Sequence, residues 1–178
     1  MALTGAPGSG KSATARELAA RTGAALLDLD TLTNPLVDRL MEALGGDGLD
    51  DRRVADQIRT ARYECLVGAA EDCLAAGIPV VLVAPFTRER QDAEAWAALA
   101  DRLHEAGGEA RLVWLRITAE ELGRRLVARA ADRDHAKLRD LETHLASVDL
   151  SPPTTPHLAV DASASSRQQA EEIRRALA

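Results

Sequence analysis

Aromatic residues are almost missing from this chain: Phe, Trp and Tyr together make 2% of it. Stacking platforms for exposed bases are correspondingly scarce. Positive charge is not in excess either. Lys and Arg number 22 against 28 Asp and Glu, a formal net charge of −6. No basic tail offsets this, so nucleic acid is not an expected partner. Cysteine is limited to Cys65 and Cys73. Both fall in one expected helix, about 12 Å apart along its axis, beyond the reach of a mutual disulfide. They are expected to be reduced, partly buried thiols. No apolar run is long enough to span a bilayer, so no membrane partner is expected. Residues 1 to 20 lack the basic and apolar regions of a secretory leader, and the expected location is cytoplasmic. His104, His135, His144 and His157 show no metal-ligand spacing, which argues against a zinc site.

What is present is concentrated near the start. Gly5-Ala6-Pro7-Gly8-Ser9-Gly10-Lys11-Ser12 has the spacing G-x-x-x-x-G-K-S of a phosphate-binding loop. Glycines let the backbone curl so that its N–H groups form an anion nest. Lys11 supplies a compact positive charge for the β- and γ-phosphates, and the Ser12 hydroxyl suits Mg²⁺. The helix-forming run from Ala13 sets the phosphates at a helix N-terminus. Only Met1 to Thr4 precede the loop, which is short for a central strand.

Beyond the loop, strands and helices alternate. Ala24 to Asp30 reads as a buried strand ending in acid, followed by a turn over 31–35 and a helix over Leu36–Leu44. A long helix is expected over about Asp51–Ala76. Ile78–Ala84 is a continuous apolar strand, then a turn over Phe86–Arg90 and a helix over about Asp92–Glu105. Ala110–Ile117 is a further strand. Thr118 and Glu121 form a capping box opening the next helix, which runs through Arg129. A break over 130–134, a helix to about Val148, a short strand over His157–Asp161 and a helix over Arg167–Leu177 complete the pattern. The expected fold is α/β: one domain over 1–178, a five-stranded parallel sheet in three layers with helices on both faces. Ligands in such sheets bind beyond the C-terminal strand ends, so the segments that follow strands should share one edge.

Several residues there suit phosphoryl transfer. Asp30 can take a proton from an acceptor hydroxyl. Asp28, two residues away on the same strand face, can hold Mg²⁺ through water or share that role. Arg125, Arg129 and Arg133 fall four apart on one helical face and can neutralise phosphate charge from a lid. The alternative for them is a solvated face paired with Glu120, Glu121 and Asp132. Arg88 in the turn can bind a polar part of the acceptor. Arg59, Arg62 and Tyr63 lie on the long helix, where the alternative is again a solvated face. Trp96 and Trp114 fit core packing.

Together these residues resemble small P-loop kinases, the branch holding chloramphenicol phosphotransferase, adenylylsulfate kinase, gluconate kinase and the zeta-toxin kinases. The resemblance spans nearly the whole chain and rests on Gly5–Ser12, Asp28-Leu29-Asp30, Phe86–Arg90 and Arg125/Arg129. It implies a three-layer kinase fold with a helical lid at about 124–137 and acceptor-binding helices at about 34–76. It implies ATP and Mg²⁺ as cofactors. Gly5, Ala6, Pro7, Gly8, Ser9, Gly10, Lys11, Ser12, Ala13, Arg125, Arg129 and Arg133 would hold the nucleotide, and Ser12 and Asp28 the metal. Lys11, Asp30, Arg125 and Arg129 would be catalytic, with Asp30 as base. Asp28, Asp30, Thr31, Arg59, Tyr63, Phe86 and Arg88 would face the acceptor. Pro85–Arg90 is similar to the acceptor-binding turn of adenylylsulfate kinase. The third strand lacks the Asp-Glu ending of a motor ATPase, and no Asn-Lys-x-Asp or Asp-Gly-x-Pro-Arg stretch occurs. The expected activity is ATP-dependent transfer of a phosphoryl group to a small-molecule hydroxyl, by a monomer or homodimer. The alternative is a nucleotide-binding regulatory ATPase or switch.

Overall fold

The computed structural model describes residues 1–43, 52–129 and 141–177. Its strands are β1 (Ala2–Gly5), β2 (Ala25–Asp28), β3 (Val80–Val83), β4 (Leu112–Arg116) and β5 (Leu158–Asp161). Its helices are α1 (Lys11–Thr22), α2 (Leu29–Ala43), α3 (Arg52–Ala75), α4 (Ala93–Glu105), α5 (Ala119–Arg129), α6 (Leu141–Ser147) and α7 (Ser166–Ala176). The strands form one parallel sheet in the order β2-β3-β1-β4-β5. Chain order reverses beside β1, so the loop after β1 opens at the topological switch point.

The central strands are apolar on both faces because both are covered. Leu3, Val81, Val83, Val113 and Leu115 point to one side, where they pack with Ala15 and Leu18 of α1, Leu122 and Leu126 of α5 and Ile173 of α7. Ala2, Val80, Leu82 and Leu112 alternate to the other side and meet Leu66, Val67 and Ala70 of α3 with Leu99 and Leu103 of α4. Period-two alternation in the strands thus builds two cores from one sheet. Trp114 is buried and Trp96 packs against the second core. Both cysteines are free. Cys73 is half-buried, but Cys65 is exposed on α3 rather than partly buried.

Several boundaries differ from the sequence reading: β3 is Val80–Val83 rather than Ile78–Ala84, and β4 is Leu112–Arg116 rather than Ala110–Ile117. β2 stops at Asp28, and α2 begins at once with Leu29. Asp28 Oδ1 accepts from the backbone N–H groups of Asp30 (3.0 Å) and Thr31 (3.4 Å). This carboxylate cap satisfies first-turn donors and makes the expected turn over 31–35 helical. Pro35 lies inside α2, where it has no N–H to return to the Thr31 carbonyl. Asp30 is therefore a first-turn helix residue, not a strand residue, and strand alternation does not relate it to Asp28. Lastly, α7 starts at Ser166 because Ser165 and Gln168 form a reciprocal capping box. The Thr118 cap is present, accepting from the Glu121 N–H at 3.2 Å. The break expected over 130–134 lies outside the described residues, as do residues 130–137 of the lid segment. No described helix is long and apolar enough to cross a membrane.

Candidate active site

The loop between β1 and α1 is held open by its glycines. Gly8 and Gly10 have φ of 94° and 98°, a left-handed conformation that side chains resist. A Cβ on Gly8 would come within 2.8 Å of Leu122 Cδ1. The Ser9 N–H is spent on the Ala6 carbonyl at 3.0 Å, which tightens the turn. Lys11 and Ser12 open α1, so their N–H groups are among the donors that helix geometry leaves without a partner. The loop and the helix dipole therefore present one anion-binding surface.

Lys11 is folded back onto this loop. Its Nζ donates to the carbonyls of Gly5 at 2.8 Å and Ala6 at 3.0 Å. Burial pulls its ammonium down to about 8, against the opposing pull of the Asp30 and Asp28 charges. Ser12 Oγ donates to Asp28 Oδ2 at 2.7 Å. One carboxylate thus links the phosphate-loop hydroxyl to the start of α2. A hydroxyl and a carboxylate side by side are hard oxygen donors, a set that fits Mg²⁺.

Asp30 stands across the cleft, 75% exposed at its side chain. Its Oδ1 accepts from Arg62 Nη2 at 2.6 Å. The same guanidinium donates to Thr33 Oγ1 at 2.7 Å and Asn34 Oδ1 at 2.8 Å, tying α3 to α2. Pro7, Gly8, Gly10, Lys11, Ser12, Ala13, Asp28, Asp30 and Arg125, with Val83 to Pro85, line one open cleft of about 770 Å³. Its position at the C-terminal strand ends follows from the sheet order. A separate cavity of about 580 Å³ lies at the opposite end of the sheet, lined by Leu18, Leu74, Ile78, Ile173 and Leu177. Its arginines are matched, Arg111 by Glu109 and Arg174 by Glu171, and it has no anion loop.

Arg125 projects from α5 onto the loop. Nη1 donates to the Ser9 carbonyl at 2.9 Å, Nη2 to the Ala162 carbonyl, and Nε to Glu121 Oε1 at 2.7 Å. It therefore braces the loop against the β5–α7 connection. Hydrogen bonding from Arg125 holds the Glu121 carboxyl below the usual range. Arg129 ends α5, and Arg133 lies outside the described residues.

The remaining candidates sit elsewhere. Thr31 contributes its backbone N–H to Asp28. Phe86 is fully buried, with φ of 45°, and its ring meets Tyr63 edge to face at 6.0 Å. Its N–H donates to Tyr63 Oη at 2.9 Å. Burial, then the Glu89 charge, pushes the Tyr63 phenol up to about 12. Arg88 is exposed and pairs with Asp92 at 3.6 Å; Arg59 is exposed and pairs with Asp56 at 2.9 Å.

Arg90 was not singled out by the sequence. Its side chain is 6% exposed and donates to Asp149 Oδ2 at 2.9 Å and the Ser151 carbonyl at 2.7 Å. It clips the turn after β3 to the segment before β5. No residue spacing signals a contact between positions so far apart in the chain. Arg90→Ala is expected to lower stability by about 2 kcal/mol, because the Ser151 carbonyl loses its donor and Asp149 Oδ2 its ion pair. A shifted urea midpoint at unchanged slope is the measurement; an unmoved midpoint would contradict the clip.

A family model described as an AAA domain matches residues 1–151. No curated protein matches the chain. Among solved structures, a suspected kinase from Chloroflexus aurantiacus shares 21% identity at a TM-score of 0.67, covering 99% of this chain and 93% of that one. A gluconokinase from Sinorhizobium meliloti shares 20% at a TM-score of 0.60, covering 96% and 86%. An APS kinase from Mycobacterium tuberculosis, in complex with AMPPNP and APS, shares 23% at a TM-score of 0.56, covering 98% and 94%. These likenesses establish a common three-layer α/β fold.

Proposed function

The chain belongs to the AAA domain family, and from that premise we propose that it is an ATP-dependent phosphotransferase acting on a hydroxyl of a small molecule. One observation carries the reading: the anion loop with Lys11 and Asp30 line a single cleft. A phosphoryl donor on the loop and a hydroxyl beside Asp30 would be held for reaction with each other. The structural neighbours named as kinases support the same chemistry, and the AMPPNP in one of them supports a nucleotide donor.

In this mechanism the loop N–H groups and Lys11 bind the β- and γ-phosphates. Asp30 takes the proton of the acceptor hydroxyl as its oxygen bonds to the γ-phosphorus and the bond to the β-phosphate oxygen breaks. The products are the phosphorylated acceptor and ADP. Arg125 keeps the Ser9 carbonyl turned away, so that the loop presents donors to the phosphates. Ser12 and Asp28 are the residues that would hold Mg²⁺, which supplies charge neutralisation when bound. The reading includes a lid over about 124–137, a cytoplasmic location and a monomer or homodimer.

Incubation with Mg²⁺, γ-labelled ATP and a panel of sugars, nucleosides and antibiotics tests it. Label should pass to an acceptor; release of label to water alone would instead mark a regulatory ATPase. A pH dependence follows from Lys11. Its lowered value, about 8, means that the free protein loses this charge above that pH. Phosphates favour the protonated form, so nucleotide binding must then take up a proton. The Kd for Mg-ATP should rise toward about tenfold per pH unit above 8, and be flat below it. Isothermal titration in buffers of different ionisation enthalpy would show the proton uptake; a flat Kd to pH 9.5 would contradict it.

A further inference from the structure

Resting on that reading, we propose that Asp30 and Arg62 form a charge-neutral reader of two neighbouring hydroxyl groups, and that the acceptor is an uncharged polyol. The Arg62 guanidinium is held in one plane by three α2 residues. Nε reaches Thr33 Oγ1, and Nη2 reaches both Asp30 Oδ1 and Asn34 Oδ1, all within 2.8 Å. The Thr33 hydroxyl spends its own proton on the Leu29 carbonyl at 2.6 Å, so it meets Arg62 as an acceptor. This fixes the polarity of the network. Two atoms of the pair have no hydrogen-bond partner among the described residues: Asp30 Oδ2, which can only accept, and Arg62 Nη1, which can only donate. A hydroxyl that gives its proton to Asp30 and a neighbour that accepts from Arg62 satisfy both.

An anionic acceptor fits poorly. The Arg62 charge is already matched by Asp30, and an anion on Nη1 would add a second negative charge beside the carboxylate that must take the proton. The nearby described arginines offer no substitute, since Arg59 is matched by Asp56 and Arg88 by Asp92. Glu89, half-buried near Tyr63, adds negative charge to the same side. Lys11 is committed to the phosphate loop.

The test sorts acceptors by charge before any one of them is identified. A protein-free metabolite extract of the source cells is passed through anion and cation exchangers in series. The uncharged, anionic and cationic pools are each incubated with the full chain, Mg²⁺ and γ-labelled ATP. Labelled product is expected from the uncharged pool, and pretreating that pool with periodate, which cleaves neighbouring diols, should abolish it. Arg62→Gln should need about tenfold more of the uncharged pool for half-maximal rate, with the KM for Mg-ATP unchanged. Label arising from a charged pool, or surviving periodate, would overturn the proposal. So would an Arg62→Gln variant that melts earlier but keeps its half-maximal dose. No label from any pool, with Mg-ATP still bound, would instead defeat the phosphotransferase reading on which this inference rests.

Discussion

Lys11→Ala is expected to lower kcat/KM by about 10²–10³-fold, the scale on which a single donor to a developing charge acts. The fold should survive. Lys11 hydrogen-bonds to two loop carbonyls, Gly5 and Ala6, both beside an open cleft where water can replace it. Burial also disfavours its charge in the folded chain. Folded and unfolded states therefore differ in proton binding between about pH 8 and the ordinary lysine range, where the unfolded chain binds more. That gives the wild type a stability that rises with pH through this window, and the alanine variant should lack the rise. Thermal midpoints at pH 7 and 10, with steady-state rates at pH 7, check both halves. A variant with normal turnover would remove Lys11 from the site and the cleft from the mechanism.

The sheet was legible because its strands carry local signals. Val80 to Val83 and Leu112 to Leu115 are apolar at every position, the pattern of strands in a parallel sheet covered on both faces. The anion loop was legible for a similar reason: its requirements are local, with glycine where the backbone turns left-handed and lysine and serine immediately after. The phosphate loop and Asp28, the carboxylate at the end of β2, converge because topology dictates it.

What escaped the sequence depends on contacts between distant segments. Asp28 could be read as a strand end, but not as the cap that starts α2 in the next residue. That required knowing that its carboxylate points along the chain toward the Asp30 and Thr31 N–H groups while also meeting Ser12. Arg62 reads as an exposed helix residue until α2 is laid beside α3. Arg90 and Arg88 are indistinguishable by type and spacing; packing buries the first and leaves the second in solvent. Phe86 follows a strand as a binding residue would, yet the chain turns it inward onto Tyr63.

Asp30→Asn is the sharper test of the chemistry, because it removes one property and keeps the shape. The amide oxygen can still accept from Arg62, so the bridge between α2 and α3 should persist. Asp30 is largely exposed in the first turn of α2, and losing its charge there costs the helix about 0.5 kcal/mol. The amide nitrogen, by contrast, cannot take a proton from an acceptor hydroxyl. kcat should fall by about 10²–10⁴-fold, with the Kd for Mg-ATP within a few-fold of wild type. A second signature follows from electrostatics. Asp30 is the first charge that holds the Lys11 ammonium up against burial, so without it Lys11 should lose its proton below pH 8. The pH at which nucleotide affinity begins to weaken should move down in Asp30→Asn, while a structural defect would weaken binding at every pH. An asparagine variant that turns over within threefold of wild type, at an unshifted pH break, would show that the proton leaves by another route and that Asp30 only braces the helix.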